Sequence, residues 1–194
     1  MKPHEFNSPR SVRAPRPGVE SVRVIVIGTG FSGLCMGVKL REAGEDDFVM
    51  LERADDVGGT WRDNTYPGCA CDVPSHLYSF SFEANPTWSR MYAPQPEIHA
   101  YLRQTAEKYD LLQHVRFHAN VVSARFDEAR QLWCVQAEDG RQFEAPVLVS
   151  GMGGLSNPMI PHIPGLDQFE GATFHSATWQ HDFDFVGKRV AVIG

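Results

Sequence analysis

Residues Arg23 to Gly33 read RVIVIGTGFSG, and this stretch decides the fold. Val22 to Ile27 is a largely apolar, β-branched run of strand length, and Gly28, Gly30 and Gly33 follow in the spacing GxGxxG. Such a turn carries a buried strand into a helix whose first unpaired amides can hold a pyrophosphate. Glycines in this spacing also serve ordinary turns, so the context carries the argument. Phe31, Leu34, Cys35 and Val38 recur at helical spacing until Ala43-Gly44, where the helix is expected to end. Phe48 to Leu51 then supplies a second parallel strand, completing a βαβ unit with a right-handed crossover. Glu52 stands at the end of that strand, about 20 residues beyond the turn, where a carboxylate can accept both ribose hydroxyls of a dinucleotide. The same charge repels a 2′-phosphate, so the site suits FAD or NAD and not NADP. The plainer alternative is a solvated charge at a strand end.

Arg189 to Gly194 (RVAVIG) repeats Arg23 to Gly28 almost letter for letter. Gly194 takes the place of the first glycine of the turn, which suggests a second nucleotide-binding unit begun at residue 187 and cut short. The reading is therefore a fragment of a two-nucleotide enzyme. With 194 residues and 42% hydrophobic content, the chain can bury a substantial core. A net charge of -6 and a pI near 5.7 give no general attraction to nucleic acid or anionic lipid. The apolar runs are strand-sized and the N-terminus lacks a signal-peptide pattern, so a cytoplasmic protein without a membrane partner is expected. Cys35, Cys69, Cys71 and Cys134 are too scattered for a disulfide framework and are expected as free thiols.

Residues 1–20 mix Pro, Ser and Arg with few apolar side chains and are expected to form a flexible tail. A first domain is expected over 21–160, and Arg53 to Pro94, rich in Gly, Pro, Ser and aromatics, reads as an excursion of functional loops. Gln95-Pro96-Glu97 starts a helix with proline in its first turn; Ile98, Tyr101, Leu102, Tyr109 and Leu112 form its buried stripe, and it ends near Leu112. Val121 to Phe126, Leu132 to Gln136 and Gln142 to Ala145 read as a three-stranded antiparallel meander, followed by a buried strand at Val147 to Ser150. Residues 161–186 form a linker, and 187–194 the start of the second unit.

Two longer motifs narrow the class. Gly59, Trp61, Tyr66, Pro67, Gly68 and Asp72 spell GxWxxxxYPGxxxD, and Phe169, Gly171, His175 and Trp179 spell FxGxxxHxxxW. With Gly58-Gly59-Thr60-Trp61 behind the strand-end Glu52, they resemble the flavoprotein monooxygenases and, among these, the Baeyer-Villiger monooxygenases. Related N- and S-oxidising flavin monooxygenases usually end the second motif in Phe or Tyr, so Trp179 favours the Baeyer-Villiger branch. The resemblance runs from Val22 to Gly194. Three places depart from the family pattern: Arg62 and Asp63 replace an aromatic pair found in some members, Gln180 replaces Pro or Asp, and Gly151-Met152-Gly153 replaces Ala-Ser/Thr-Gly.

The resemblance implies an α/β fold: a Rossmann-like FAD-binding domain, with a parallel sheet plus an antiparallel β-meander, and the first strand of a truncated NADP-binding Rossmann domain. It implies that Ser32 assists at the pyrophosphate, that Thr60, Trp61 and Asp63 line the flavin, that Tyr78 packs near it, and that the Val121 backbone contacts the adenine. Tyr78 and Val121 serve equally well as core residues. Pro67-Gly68 makes a turn that re-aims the chain toward Asp72. The resemblance marks Asp72 as the catalytic candidate, beside the flavin and holding an arginine from outside the chain; its alternative role is to cap the turn at Pro74 to Leu77. His175 and Trp179 either couple domain movement to catalysis or, for His175, serve structure alone. Cys69-Ala-Cys71 lacks the CxxC spacing of a disulfide reductase, and no Cys/His set completes a metal site.

In the intact protein the resemblance implies that NADPH reduces FAD, that molecular oxygen forms a C4a-peroxyflavin, and that this attacks a ketone to place oxygen beside the carbonyl. Oxidation of N or S atoms by the same route is the first alternative, and a flavin-binding module without turnover the second. The fragment alone is expected to bind FAD without turning over.

Overall fold

The computed structural model describes residues 16–194; residues 1–15, most of the expected tail, lie outside the described residues. Four parallel strands form the central sheet: β2 (Val24–Ile27), β3 (Phe48–Leu51), β4 (Val115–Arg116) and β8 (Val147–Ser150), in the order β4-β3-β2-β8. The register is continuous across β2, with Val26 opposite Met50 on one side and Val149 on the other. A second sheet holds β1 (Val19–Ser21), β5 (Val121–Asp127), β6 (Leu132–Ala137) and β7 (Gln142–Ala145), in the order β1-β7-β6-β5. Its last three strands are the antiparallel meander expected from the alternation, whereas β1 joins β7 in parallel.

Every residue of β2 and β3 is buried because both faces of the parallel sheet are covered. Val24, Val26, Phe48 and Met50 face α1 (Phe31–Glu42) and α3 (Gln95–Lys108), where Leu34, Val38, Ile98 and Leu102 meet them. The alternate residues Ile25, Ile27, Val49 and Leu51 pack on Val135, Ala137, Phe143 and Ala145 of the meander. Each such aliphatic side chain contributes about 1.5 to 3 kcal/mol by leaving water. A three-layer stack of helices, parallel sheet and meander results.

Four expectations need correction. Val19 and Glu20, assigned to the tail, form β1: their main-chain groups pair with the otherwise open edge of β7, and Arg16 binds the buried Glu144 carboxylate. Polar composition predicts weak burial and is silent about a backbone partner far along the chain. The strand at the first motif begins at Val24, not Val22. Helix α3 ends at Lys108, not near Leu112, because Asp110 adopts φ 52, a left-handed conformation that breaks the helix. Leu111, one position earlier than expected, then fills the core against Gly37, while Leu112 is exposed in a 3-10 turn. Finally, residues 187–194 form no strand, and Arg189 to Gly194 has no hydrogen-bonded strand neighbour among the described residues.

The excursion from Arg53 to Pro94 holds one short helix, α2 (Thr60–Asp63), and is packed by its own aromatic side chains. Phe80 stacks on Phe82 at a centroid distance of 4.9 Å, and Trp88 and Phe80 both pack on Tyr101 of α3. The Tyr101 hydroxyl accepts from the Phe80 amide and donates to the Glu83 carbonyl, so the loops are pinned to the helix. Among the described residues no helix is long and apolar enough to cross a membrane, and all four cysteines are free thiols.

Candidate nucleotide-binding cleft

The cleft lies where β2, β3 and β8 end. Gly28 turns the chain out of β2 with φ 91, and a Cβ there would sit 2.7 Å from the Gly151 carbonyl oxygen. Gly33 is tighter: a Cβ would lie 1.9 Å from the Gly28 carbonyl oxygen, so only glycine lets the first turn of α1 approach the strand end. Helix α1 starts at Phe31 with Gly30 as N-cap, no side-chain cap and no acidic residue in its first turn. The amides of Phe31, Ser32 and Gly33 find no backbone acceptor among the described residues. An uncapped, positively polarised helix start facing a cleft suits an anion. Gly28, Gly30 and Ser32 line the cleft; Gly33 stands behind them as a packing residue.

Glu52 is buried at the head of β3. One carboxylate oxygen accepts from the Thr29 amide at 3.2 Å and from the Thr29 hydroxyl, the other from the Ala54 amide at 3.0 Å and from Arg62 Nη1 at 2.9 Å. Arg62 also donates to Asp63 Oδ1 at 2.7 Å and to the Asp56 carbonyl at 2.6 Å. Burial alone would weaken the Arg62 charge, but the hydrogen bond to Asp63 and the negative charges of Glu52 and Asp63 hold its pKa above the usual arginine value. Glu52 is thus a fixed, ion-paired acceptor, not a solvated strand-end charge.

Trp61, Tyr78 and Phe31 form the apolar wall: the Trp61 and Tyr78 rings meet edge-on at 5.4 Å, as do Phe31 and Tyr78 at 5.2 Å. Trp61 Nε1 donates to the Tyr78 hydroxyl at 3.1 Å. Burial raises the pKa of Tyr78 against the opposing effect of the Trp61 hydrogen bond, and the nearby Asp72 carboxylate raises it further. Thr60 and Asp63 line the same cleft, and Val121 borders it at the head of β5. Across the mouth, Arg53 Nη2 bonds Asp63 Oδ2 at 3.0 Å and the Ser156 carbonyl at 2.6 Å, while Nη1 reaches Asn157 Oδ1 at 3.1 Å. The open cleft has a volume of about 340 Å³.

Asp72 does not line this cleft. It is exposed beside the buried Cys71 and makes no ion pair among the described residues. The second motif lies closer to that edge than its sequence distance suggests: Trp179 approaches Tyr66 at 6.4 Å, and His181 Nε2 meets Thr65 Oγ1 at 2.9 Å. Within the motif, His175 Nδ1 accepts from the Ala177 amide at 3.0 Å and so caps the 3-10 turn Ser176–Thr178, while Trp179 stacks on Phe185. No group of three or more His, Cys, Asp or Glu side chains among the described residues could hold a metal ion.

Sequence reasoning missed Thr29, Arg62 and Arg53. Thr29 sits between the first two glycines, where its amide and hydroxyl point at the Glu52 carboxylate; a polar residue inside the motif was the available signal. Arg62 is recognisable only as a departure from the aromatic pair. Its burial against Glu52 is a tertiary fact.

Fold and site together define a Rossmann-type dinucleotide-binding domain. A family model described as flavin-binding monooxygenase-like matches residues 21–194, and the chain belongs to that family. It is 55% identical over 172 residues to a Baeyer-Villiger monooxygenase of Pseudomonas aeruginosa, covering 89% of this chain and 33% of the relative. A Baeyer-Villiger monooxygenase of Streptomyces coelicolor is 54% identical over 175 residues, covering 90% and 34%. Among solved structures, cyclohexanone monooxygenase from Rhodococcus sp. Phi1 bound to NADP+ superimposes with a TM-score of 0.78 at 39% identity, covering 86% of this chain and 32% of that one. The chain thus spans about a third of the length of the relatives it matches.

Proposed function

We propose that this chain is the FAD-binding part of an NADPH-dependent Baeyer-Villiger monooxygenase of the cytoplasm, acting on a ketone with molecular oxygen. One observation carries the reading: a glycine turn with free helix amides, a buried acceptor carboxylate and an aromatic wall share a single cleft. The residues fit FAD. Amides of Phe31 to Gly33 receive the pyrophosphate, and Glu52 receives the adenosine ribose as the Thr29 hydroxyl rotates away from its carboxylate. Val121 borders the adenine, and Thr60, Trp61, Asp63 and Tyr78 flank the ring system and keep water from it. Bound FAD would supply the redox chemistry, drawing on NADPH and oxygen. Asp72, exposed and without an ion-pair partner among the described residues, holds an arginine supplied from outside this chain. Residues 161–186 link this domain to a second nucleotide-binding unit that opens at residue 187, a reading supported by the RVxVIG repeat. Without that unit the chain binds flavin and does not turn over.

The names of the relatives and Trp179 at the end of the second motif favour a ketone over a heteroatom substrate. The test begins with flavin uptake: the purified chain should become yellow with added FAD, and Glu52→Gln should bind it about tenfold more weakly. A folded chain that takes up no FAD overturns the reading. Joined to a second nucleotide unit, the protein should convert ketone to ester faster than sulfide to sulfoxide; the reverse preference would assign heteroatom oxidation instead.

A further inference from the structure

We propose that His99, supported by Gln95 and Arg103 on the same face of α3, is a positioning residue that braces the turn from Asp56 to Trp61 against the flavin site. This rests on the reading of the cleft as an FAD site. The three side chains are spaced i, i+4 and i+8 along the helix, which aligns them in one stripe. Each reaches a different point of the turn. Gln95 donates through Nε2 to the Trp61 carbonyl. His99 donates through Nε2 to the Val57 carbonyl at 3.0 Å, with Asp56 Oδ2 at 3.4 Å from the same nitrogen. Arg103 Nε lies 3.2 Å from Asp56 Oδ2.

Shape requires the imidazole as much as hydrogen bonding does. Gly58 has φ 121, and a Cβ there would lie 2.7 Å from His99 Cδ2, so the ring occupies the space the glycine leaves open. Backbone in this region has a freedom other residues lack, and an outside contact is what selects one conformation. Bracing propagates directly into the cleft: the Gly58 amide donates to the Thr29 carbonyl at 2.9 Å, and Thr29 in turn holds Glu52. On the other side, the Asp56 carbonyl accepts from Arg62, the ion-pair partner of Glu52. Without the His99 donor, the carbonyl of the buried Val57 loses its hydrogen bond and the glycine turn gains conformers that misplace Thr29 and Trp61.

The experiment uses the full 194-residue chain and three readouts: FAD affinity by flavin fluorescence, hydrogen exchange of the Gly58 amide, and the melting temperature without ligand. His99→Ala should weaken FAD binding about three- to tenfold and speed Gly58 exchange by a similar factor, as loss of one hydrogen bond to a buried carbonyl implies. His99→Gln, which keeps a donor of similar reach, should restore both to within about twofold. The ligand-free melting temperature should change much less than a core truncation would change it. Arg103→Ala, at an exposed side chain, should have a smaller effect than His99→Ala. If His99→Ala does not fold, His99→Leu, which keeps bulk against Gly58 and removes the donor, is read in its place. Unchanged affinity and exchange in the donor-free variant overturn the proposal, as does a loss of affinity in His99→Gln that merely tracks a fall in melting temperature. Should the wild-type chain take up no FAD, the flavin reading fails separately, and Gly58 exchange alone decides whether His99 braces the turn.

Discussion

Arg23–Gly28 and Arg189–Gly194 are nearly the same six residues, and they end in opposite states. In the first copy, Val26 is fully buried and Ile27 is 7% exposed, in a strand paired on both edges and covered on both faces. In the second, Val192 is 90% exposed and Ile193 65%, with no strand formed. The difference teaches that an apolar β-branched hexapeptide has a propensity and becomes a strand only where neighbours satisfy its amides and layers cover its faces.

Gly33→Ala is expected to do the most damage to the first copy. Its methyl would fall on the Gly28 carbonyl, so helix and strand end must part. A loss of about 3 kcal/mol or more, seen as a shifted urea midpoint together with lost FAD uptake, is expected. Next in size is Ile27→Ala, which should cost about 2 to 3 kcal/mol by the same measurement, at the low end for such truncations because Ile27 borders the cleft.

A smaller effect belongs to the outer sheet, where the buried Glu144 of β7 binds Arg16 and Arg130. Burial by itself would raise its pKa, but the hydrogen bonds and charges of Arg130 and Arg16 outweigh it and hold the carboxyl below the ordinary glutamate range. A lowered folded-state pKa contributes stability that is fully present above the unfolded value and is lost as pH falls through the folded one. The melting temperature should therefore fall on acidification below the ordinary glutamate range, and Glu144→Gln should flatten that part of the profile. The smallest effect closes the comparison: Ile193→Ala, the counterpart of Ile27→Ala, should change stability by no more than about 0.5 kcal/mol. A cost like that of Ile27 would mean that the second copy is packed in solution and would erase the contrast.

The same contrast explains which elements were legible in the sequence. Strand β2, helix α1 and strand β3 were readable because burial on both faces of β2 imposes an apolar run, and GxGxxG marks the turn. The meander showed through its alternation, which in β6 sends Val135 and Ala137 to the face that meets Ile25 and Val49 and leaves Gln136 exposed. Strand β1 was hidden because its partner β7 lies more than a hundred residues away and pairs through backbone groups common to every sequence. The end of α3 was misplaced because Asp110 turns left-handed where helical periodicity continues into Leu111 and Leu112.

At the cleft, the glycines, Ser32, Glu52, Thr60, Trp61, Asp63, Tyr78 and Val121 were all named from motif and resemblance, and all but Gly33 line one space. Asp72 stands outside it and exposed; how it meets its partner is part of the proposed function. The ion pair of Arg62 with Glu52, the Arg53 contacts across the mouth and the α3 stripe behind Gly58 had no sequence signature. Their partners lie on different elements, and an arginine or histidine in a loop reads as a surface residue until the fold buries it.

By itself the sequence determined what local forces decide: where apolar periodicity makes a strand or helix, where a glycine must stand because no Cβ fits, and which carboxylate ends the second strand. Only the tertiary structure decided which strand found a partner, which charge was buried against which, and which helix face holds the glycine turn. Those outcomes depend on groups far apart in the chain, whose desolvation and pairing energies exist only after the layers have closed.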